Sequence, residues 1–414
     1  MHIIVQKFGG SVIKDNKAIE RVAHIITKTK TKNTAVAVVV SAMGDTTDSL
    51  LKLAKSINPH PPGREIDMLL TSGERITMSL LSLAITHKGY DAVSFTGSQV
   101  GIITNEQHTD ARIVGIKGKR LYEALKQNKI PIIAGFQGVS LNREITTLGR
   151  GGSDVTAVAL AAFLNANCCE LYKDVSGVFT ENPKVFNNVK HIPMISYQEM
   201  AELTTAGSEI LHPRACALAS KYNVPLLIKS FLRKDYSTMI TKNQRLPKKK
   251  NKLYTEKAFI RAITHSYNLT RLSLVAVPQL PKCLHQVILR LAQAKIPLLF
   301  FAHGIPYHNK FDLSFIVSDE NCKKAKMVLE ETAQIVNAEK LLIANNLASI
   351  SLVGPSISND VEIFAILFET LHKLGVHIDA FSSSEMKITC FLREENVKRA
   401  VRALLQKFHL LNKK

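Results

Sequence analysis

The chain has 414 residues, 46% hydrophobic and 21% charged, which is enough for two or three buried cores and excludes wholesale disorder. No apolar run reaches the length of a membrane span, so no membrane partner is expected. The net charge of +20 raises nucleic acid as a partner, but the lysines are spread along the chain, no aromatic–basic interleaving accompanies them, and no nucleic-acid role is expected.

Over the first ~235 residues, read by period and breakers, short β-rich runs alternate with helical stretches. The runs are HIIVQKF (2–8), TAVAVVVSAM (34–43), DAVSFTG (91–97), KIPIIAGFQG (129–138), CCELYKDVSGV (168–178) and VPLLIKSF (224–231). Several are apolar throughout, as strands covered on both faces should be, and the alternation predicts a mostly parallel sheet flanked by helices. A polar, lysine-rich stretch from about Ser237, including PKKKNK (247–252), reads as a linker. Beyond it LSLVAVP (272–278) answers ISLVGP (350–355), and DENCKKAKMVLEE (319–331) answers EENVKRAVRALLQ (394–406). Each copy reads as strand, helix, two strands and helix, predicting two small βαββαβ-like modules. The division expected is a catalytic domain over 1–240, a linker over 241–257 and modules over 258–338 and 339–414. Six cysteines without metal or disulfide spacing, and an N-terminus that enters a strand directly, suggest the cytoplasm.

Five segments could carry chemistry. In KFGGSV (7–12), Gly9 and Gly10 let backbone amides approach an anion and Lys7 adds a point charge. TTLGRGGSDVTAVALAAFLNA (146–166) feeds a glycine-rich turn into a helix, placing Ser153 and Asp154 in its first turn beside Arg150. A helix N-terminus seats anions and a guanidinium fork suits a carboxylate. Capping alone would account for Ser153 and Asp154, but not for the clustered glycines and arginine. In TSGERITMSLLSLA (71–84), Thr71 and Glu74 fit a capping box. YKDVSGVFTENPKV (172–185) ends a strand at Asp174 before a glycine turn, a place suited to a nucleotide. AGSEILHPRACALA (206–219) predicts a flanking helix with Pro213 near its start, and His212 reads as a hydrogen-bonding group rather than a catalyst.

Together these segments resemble the aspartate kinases of the amino-acid-kinase superfamily, over essentially the whole chain. The GRGGSD and LHPRA stretches are the most specific, and SSSEMKITCFLREENVKRAVRALL (382–405) resembles that family's paired ACT regulatory domains. The resemblance implies a three-layer α/β sandwich with a mostly parallel central sheet, plus two C-terminal α+β ACT-like modules. It implies transfer of the ATP γ-phosphoryl group to the side-chain carboxylate of L-aspartate, the first step towards diaminopimelate and lysine, threonine and methionine. The carboxylate is already a nucleophile at neutral pH, so no general base is required. The obstacle is repulsion between two anions, and the remedy is positioning and positive charge.

By the same resemblance Lys7, Gly9 and Gly10 would stabilise the transferring group, with Asp154 orienting the cationic centre. Arg150, Ser153, Glu74 and Thr47 would hold aspartate. ATP would meet Lys7, Phe8, Gly9, Gly10, Ser41, Lys173, Asp174, Phe179, Lys184 and Lys229, and magnesium would travel on its phosphates with no protein ligand. A homodimer or larger assembly and an amino-acid effector at the paired modules are implied too. Several residues depart from the family pattern. Ser11 and Val12 stand where it has threonine and serine, Asn182, Pro183 and Lys184 replace D-P-R, and Phe179 replaces a tyrosine. The glycines expected near the starts of both modules' first helices are missing. Pro297 and Leu299 occupy positions where the family meets its effector through asparagine and aspartate, predicting weakened or absent lysine inhibition. Rival readings are another amino-acid kinase (acetylglutamate, glutamate or uridylate) and a non-catalytic amino-acid sensor that keeps the fold.

Overall fold

The computed structural model describes residues 2–231, 236–242 and 259–412. They form two compact units, one of Met1–Phe179 with Lys190–Thr255, the other of Thr180–Val189 with Glu256–Lys414. No helix among the described residues is long and apolar enough to cross a membrane.

The first unit runs β1 (His2–Phe8), α1 (Asn16–Thr29), β2 (Thr34–Val40), α2 (Thr46–Ile57), α3 (Gly63–His87) and β3 (Ala92–Phe95). It continues through α4 (Gly97–Val100), β4 (Ile102–Thr104), β5 (Ile113–Ile116), α5 (Lys119–Lys126), β6 (Ile130–Ala134), β7 (Gln137–Ser140) and β8 (Ile145–Thr147). Next come α6 (Gly152–Phe163), β9 (Cys168–Lys173), β10 (Val178–Phe179), β11 (His191–Ile192) and β12 (Met194–Ser196). It ends with α7 (Tyr197–Thr205), α8 (Pro213–Tyr222), β13 (Leu226–Ser230) and β14 (Ser237–Thr241).

Eight strands form the central sheet in the order β12-β14-β13-β9-β1-β2-β6-β3. Every pairing is parallel except β13 with β14. All six runs picked out in the sequence are in it, and the apolar ones are covered on both faces. On one face Phe8, Val36, Val38, Val40, Ile130 and Ile132 pack against Ile19, Val22 and Ile26 of α1 and Met78, Leu81 and Ile85 of α3. On the other lies α6, buried without a break from Gly152 to Ala161, as a helix with neighbours all round must be. Because strand side chains alternate, seating Phe8 in the α1–α3 core sends Lys7 towards α6. Ser237–Thr241, assigned to the linker from composition, instead forms the edge-side strand β14, whose alternating STMIT buries Thr238 and Ile240. The remainder of the expected linker, from 243 to 258, lies outside the described residues.

The second unit holds β15 (Ala262–Pro278), α9 (Pro281–Gln293), β16 (Phe300–His303), β17 (Lys310–Ser318) and α10 (Asp319–Ile335). Its second copy is β18 (Lys340–Val353), α11 (Val361–Lys373), β19 (Ala380–Ser384), β20 (Lys387–Arg393) and α12 (Val397–Lys407). The predicted strand–helix–strand–strand–helix order recurs twice, but the copies share one sheet, β16-β17-β15-β18-β20-β19. The first half of β18 pairs with the second half of β15, and the second half of β18 with the first half of β15. Each copy's fourth strand is therefore half of the other copy's first. The exchange points are Asn268 and Asn346, both at positive φ (60° and 59°), a conformation asparagine tolerates better than most residues.

Candidate active site

Lys7 is the penultimate residue of β1 and Lys173 ends β9, adjacent parallel strands that deliver both ammoniums to the carboxyl edge of the sheet. Asp154, in the first turn of α6, stands between them. Its Oδ1 lies 2.7 Å from Lys7 Nζ as an ion pair off the line of a good hydrogen bond, and its Oδ2 accepts from Lys173 Nζ at 2.7 Å. The Lys7 and Asp154 side chains are 7% and 5% exposed, so this charge is largely stripped of water. Burial alone would raise the Asp154 carboxyl, but Lys173 and Lys7 outweigh it and hold the group well below the usual carboxylate range. Burial lowers the Lys7 ammonium, with Asp154 opposing and Lys173 adding to the effect. Two ammoniums sharing one carboxylate leave a net charge of about +1 in a desolvated pocket, and such a place is a seat for an anion.

The glycine turn lies beside this cluster. Val12 and Ile13 donate to Gly9 O, and Gly44 donates to Gly10 O at 3.1 Å. A Cβ on Gly10 would stand 2.8 Å from Ala42 O, so only glycine lets the two loops after β1 and β2 close together. Phe8 is fully buried and stacks on Tyr172, centroids 4.6 Å apart, so only its backbone can face a ligand. Val12 is also buried, in the core against α1 and α3, which explains how this chain dispenses with a hydroxyl there.

Glu74 reaches the same region from α3. The capping box expected of Thr71 and Glu74 does not exist: both lie inside a 25-residue helix, and Thr71 Oγ1 donates to Met68 O within it. The pattern misleads because the helix starts two turns earlier, at Gly63 after Pro62. Glu74 is 3% exposed; its Oε1 accepts from Ala42 N at 3.1 Å and its Oε2 has no partner among the described residues. Burial pushes its carboxyl up to about 7, against the pull of the Ala42 amide, its own amide and the Lys7 ammonium.

Arg150 sits in the turn between β8 and α6, flanked by Gly149 (φ 73°) and Gly151 (φ 68°); its side chain is exposed and has no ion pair among the described residues. Ser153 is buried in the first turn of α6, against Gly135 at the end of β6. His212 caps α8, its Nδ1 accepting from Arg214 N, and its ring fills the space a Cβ on Gly151 would need, at 2.3 Å. Thr47 lies half-buried in the first turn of α2 and Ser41 just after β2, donating to Phe8 O at 3.2 Å. Asp174 is exposed just after Lys173, and Phe179 in β10 packs edge-on to His191 and Tyr236. Lys229 is tied by Nζ to Glu170 Oε1 at 2.6 Å. Lys184 belongs to the other unit, since the chain from Thr180 to Val189 is bound there through Ile263 N to Thr180 O and Asn412 N to Asn188 O.

Three polar centres, two buried and one half-buried, were not found in the sequence. Glu170 gathers Gln6, Tyr172 and Lys229. Asp67, fully buried in α3, gathers His108, Thr109 and Thr147. Arg214 gathers Asp110, Ala111 and Leu148. Glu170 lies in CCELYKDVSGV, which the sequence marks only as a strand, and Arg214 lies in HPRACALA, which it marks only as a helix after a proline.

A family model described as the amino acid kinase family matches residues 2–230, and one described as an ACT domain matches 350–408. The aspartokinase of Bacillus sp. (strain MGA3) is 38% identical over 410 residues, covering 99% of this chain and 98% of that one. The aspartokinase of Corynebacterium glutamicum is 38% identical over 413 residues, covering 99% and 97%. Among solved structures, E. coli aspartokinase III in complex with aspartate and ADP is alike in fold, with a TM-score of 0.81 at 22% identity over 98% of this chain and 99% of that chain. Aspartate kinase from Synechocystis is 33% identical with a TM-score of 0.54, covering all of this chain and 70% of that chain. The fold expected from the sequence and the resemblance behind it are both borne out, and the chain belongs to the aspartokinase family.

Proposed function

We propose that the Lys7–Asp154–Lys173 cluster is the centre at which this aspartate kinase transfers the ATP γ-phosphoryl group to the side-chain carboxylate of L-aspartate. Both reactants are anions, so the energetic problem is bringing them within bonding distance. A desolvated +1 cluster offsets that repulsion far better than exposed lysines could. Asp154 holds the two ammoniums at fixed positions, so little reorganisation is needed as charge develops on the phosphoryl oxygens. Lys7 and the Gly9 and Gly10 amides meet the transferring group. Lys173, Asp174, Ser41, Phe179 and the Phe8 backbone line the nucleotide's side, with Lys229 a further contributor through its phosphates. Arg150, with Ser153, takes the α-carboxylate of aspartate; the unpaired Glu74 Oε2 takes its ammonium, and Thr47 completes the pocket. Magnesium enters with ATP and neutralises phosphate charge; both Asp154 oxygens are taken by lysines, which fits an ion carried by the nucleotide. An assembly of two or more copies, an amino-acid effector at the ACT-bearing unit and a cytoplasmic setting complete the reading.

The observation that carries it is the lysine pair sharing one buried carboxylate at 2.7 Å on each side. Incubation with ATP and aspartate, trapping the acyl phosphate with hydroxylamine, tests the reaction. Lys7→Ala should lower kcat by ~10³ with unchanged circular dichroism, the scale of losing one preorganised charge contact. Undiminished turnover in that variant would remove Lys7 from the centre, and activity on glutamate rather than aspartate would reassign the acceptor.

A further inference from the structure

The exposed Arg150 sits on a turn braced by the half-buried Arg214 and the fully buried Asp67. Arg214, in the first turn of α8, spends its guanidinium entirely on the protein. Nη1 donates to Asp110 Oδ1 at 3.0 Å and to Leu148 O, and Nη2 donates to Ala111 O at 2.8 Å. Leu148 is two residues before Arg150, and its amide is held in turn by Phe136 O at 2.8 Å. From the opposite side Asp67 accepts from Thr147 Oγ1 at 2.5 Å, from Thr109 N at 3.1 Å and from His108 Nδ1 at 2.8 Å. Ala111 N donates to Thr147 O at 2.8 Å, closing the ring. The loop from 105 to 112 is thus stapled between α3 and α8, and the strand end that launches Arg150 is stapled to that loop.

We infer that Arg214, with Asp67 as its counterpart, is a positioning residue for aspartate recognition: it fixes the direction in which Arg150 leaves the turn. The turn needs such support, because Gly149 and Gly151, both left-handed, give the backbone freedom on either side of Arg150. A planar fork satisfies two carbonyls and a carboxylate at fixed angles; an ammonium on a flexible stem cannot reproduce that geometry. The inference rests on the reading of Arg150 as the carboxylate clamp.

Steady-state kinetics on the full-length enzyme test both levels. Arg214→Lys should raise KM for aspartate by ~10–100-fold, the cost of a displacement of about 1 Å at a binding group, while KM for ATP changes less than about twofold. Arg214→Ala is the stronger variant; if it fails to fold, Arg214→Lys, which keeps charge and stem, still decides. Arg150→Ala measured alongside should raise KM for aspartate too, and the double variant Arg150→Ala with Arg214→Lys should be no worse than Arg150→Ala alone. An additive double variant, or equal rises in both KM values, would overturn the positioning role while leaving Arg150 in place. An unchanged KM for aspartate in Arg150→Ala would overturn the clamp itself, and the inference with it.

Discussion

Glu74 should make the grip on aspartate depend on pH in the physiological range. Its carboxyl is raised from an ordinary 4.5 to about 7, first by burial, with the Ala42 amide, its own amide and Lys7 pulling the other way. At 1.36 kcal/mol per pH unit this is on the order of 3 kcal/mol against ionising the group in the free enzyme. The sign follows from linkage. Below 4.5 folded and unfolded chains both carry the proton; between 4.5 and about 7 only the folded chain does, so Glu74's contribution to stability falls across that window and is constant above it. A substrate ammonium at Oε2 reverses the preference, because the ionised form then gains a charged partner. With half-ionisation near pH 7, about one-tenth of the free enzyme is ready for the ammonium at pH 6 and about nine-tenths at pH 8. KM for aspartate, measured at saturating ATP so that the nucleotide's own titration drops out, should therefore fall roughly tenfold from pH 6 to pH 8 and then level. Glu74→Gln should abolish that slope and raise KM by ~10–100-fold, the worth of one charge-assisted hydrogen bond. A flat KM in the unaltered enzyme, or a slope that survives in Glu74→Gln, would refute the assignment.

Asp154→Asn leaves two buried lysines facing each other without an anion; unfolding by urea should show a loss of ~3–5 kcal/mol, and turnover should collapse with it. Because Asp154 titrates well below the usual range, its contribution to stability is present above its unfolded value and lost only towards strongly acid pH, which an acid-denaturation series on both forms would register. Gly151→Ala combines a left-handed φ of 68° with a Cβ 2.3 Å from the His212 ring, so melting temperature should fall and KM for aspartate should rise. The ACT-bearing unit carries Pro297 and an exposed Leu299, whose apolar side chain offers no partner to an ammonium; activity titrated with lysine should stay unchanged at micromolar concentrations, and strong inhibition there would refute this.

The central sheet was readable because its evidence is local. VAVVV and IPII need cover on both faces wherever they lie, and KFGG or GRGGSD announce a turn without reference to anything distant. The charged centre was half readable. Lys7, Lys173 and Asp154 could be nominated singly, but their meeting within 2.7 Å depends on β1 and β9 becoming neighbours, although 160 residues separate them in sequence. Asp67 was not readable at all, and Arg214, though it stands in the specific LHPRA stretch, showed nothing of its role, because each is defined by partners from remote segments. Thr71 and Glu74 show the opposite failure, a local pattern that tertiary context overrides: an apolar face running from Ile66 to Ile85 keeps the helix going through the apparent cap.

The internal repeat shows how far local evidence can reach. LSLVAVP and ISLVGP correctly announce two strands of one kind, but a repeat reports the order of elements within a copy, not which chain segment closes each sheet. That is decided by backbone hydrogen bonds, and here β15 and β18 each serve both copies, pairing with each other throughout with a break in register near Asn268 and Asn346. If either copy were removed, the other's long strand would lose the β15–β18 ladder along its whole length, and the buried cluster of Leu269, Ile316, Leu347 and Phe391, drawn from both copies, would be cut in two. Unpaired backbone and bared apolar surface on one strand are costly together. The two copies should therefore unfold in one cooperative step, with Asn268 and Asn346 as the hinge of a single body rather than a seam between two.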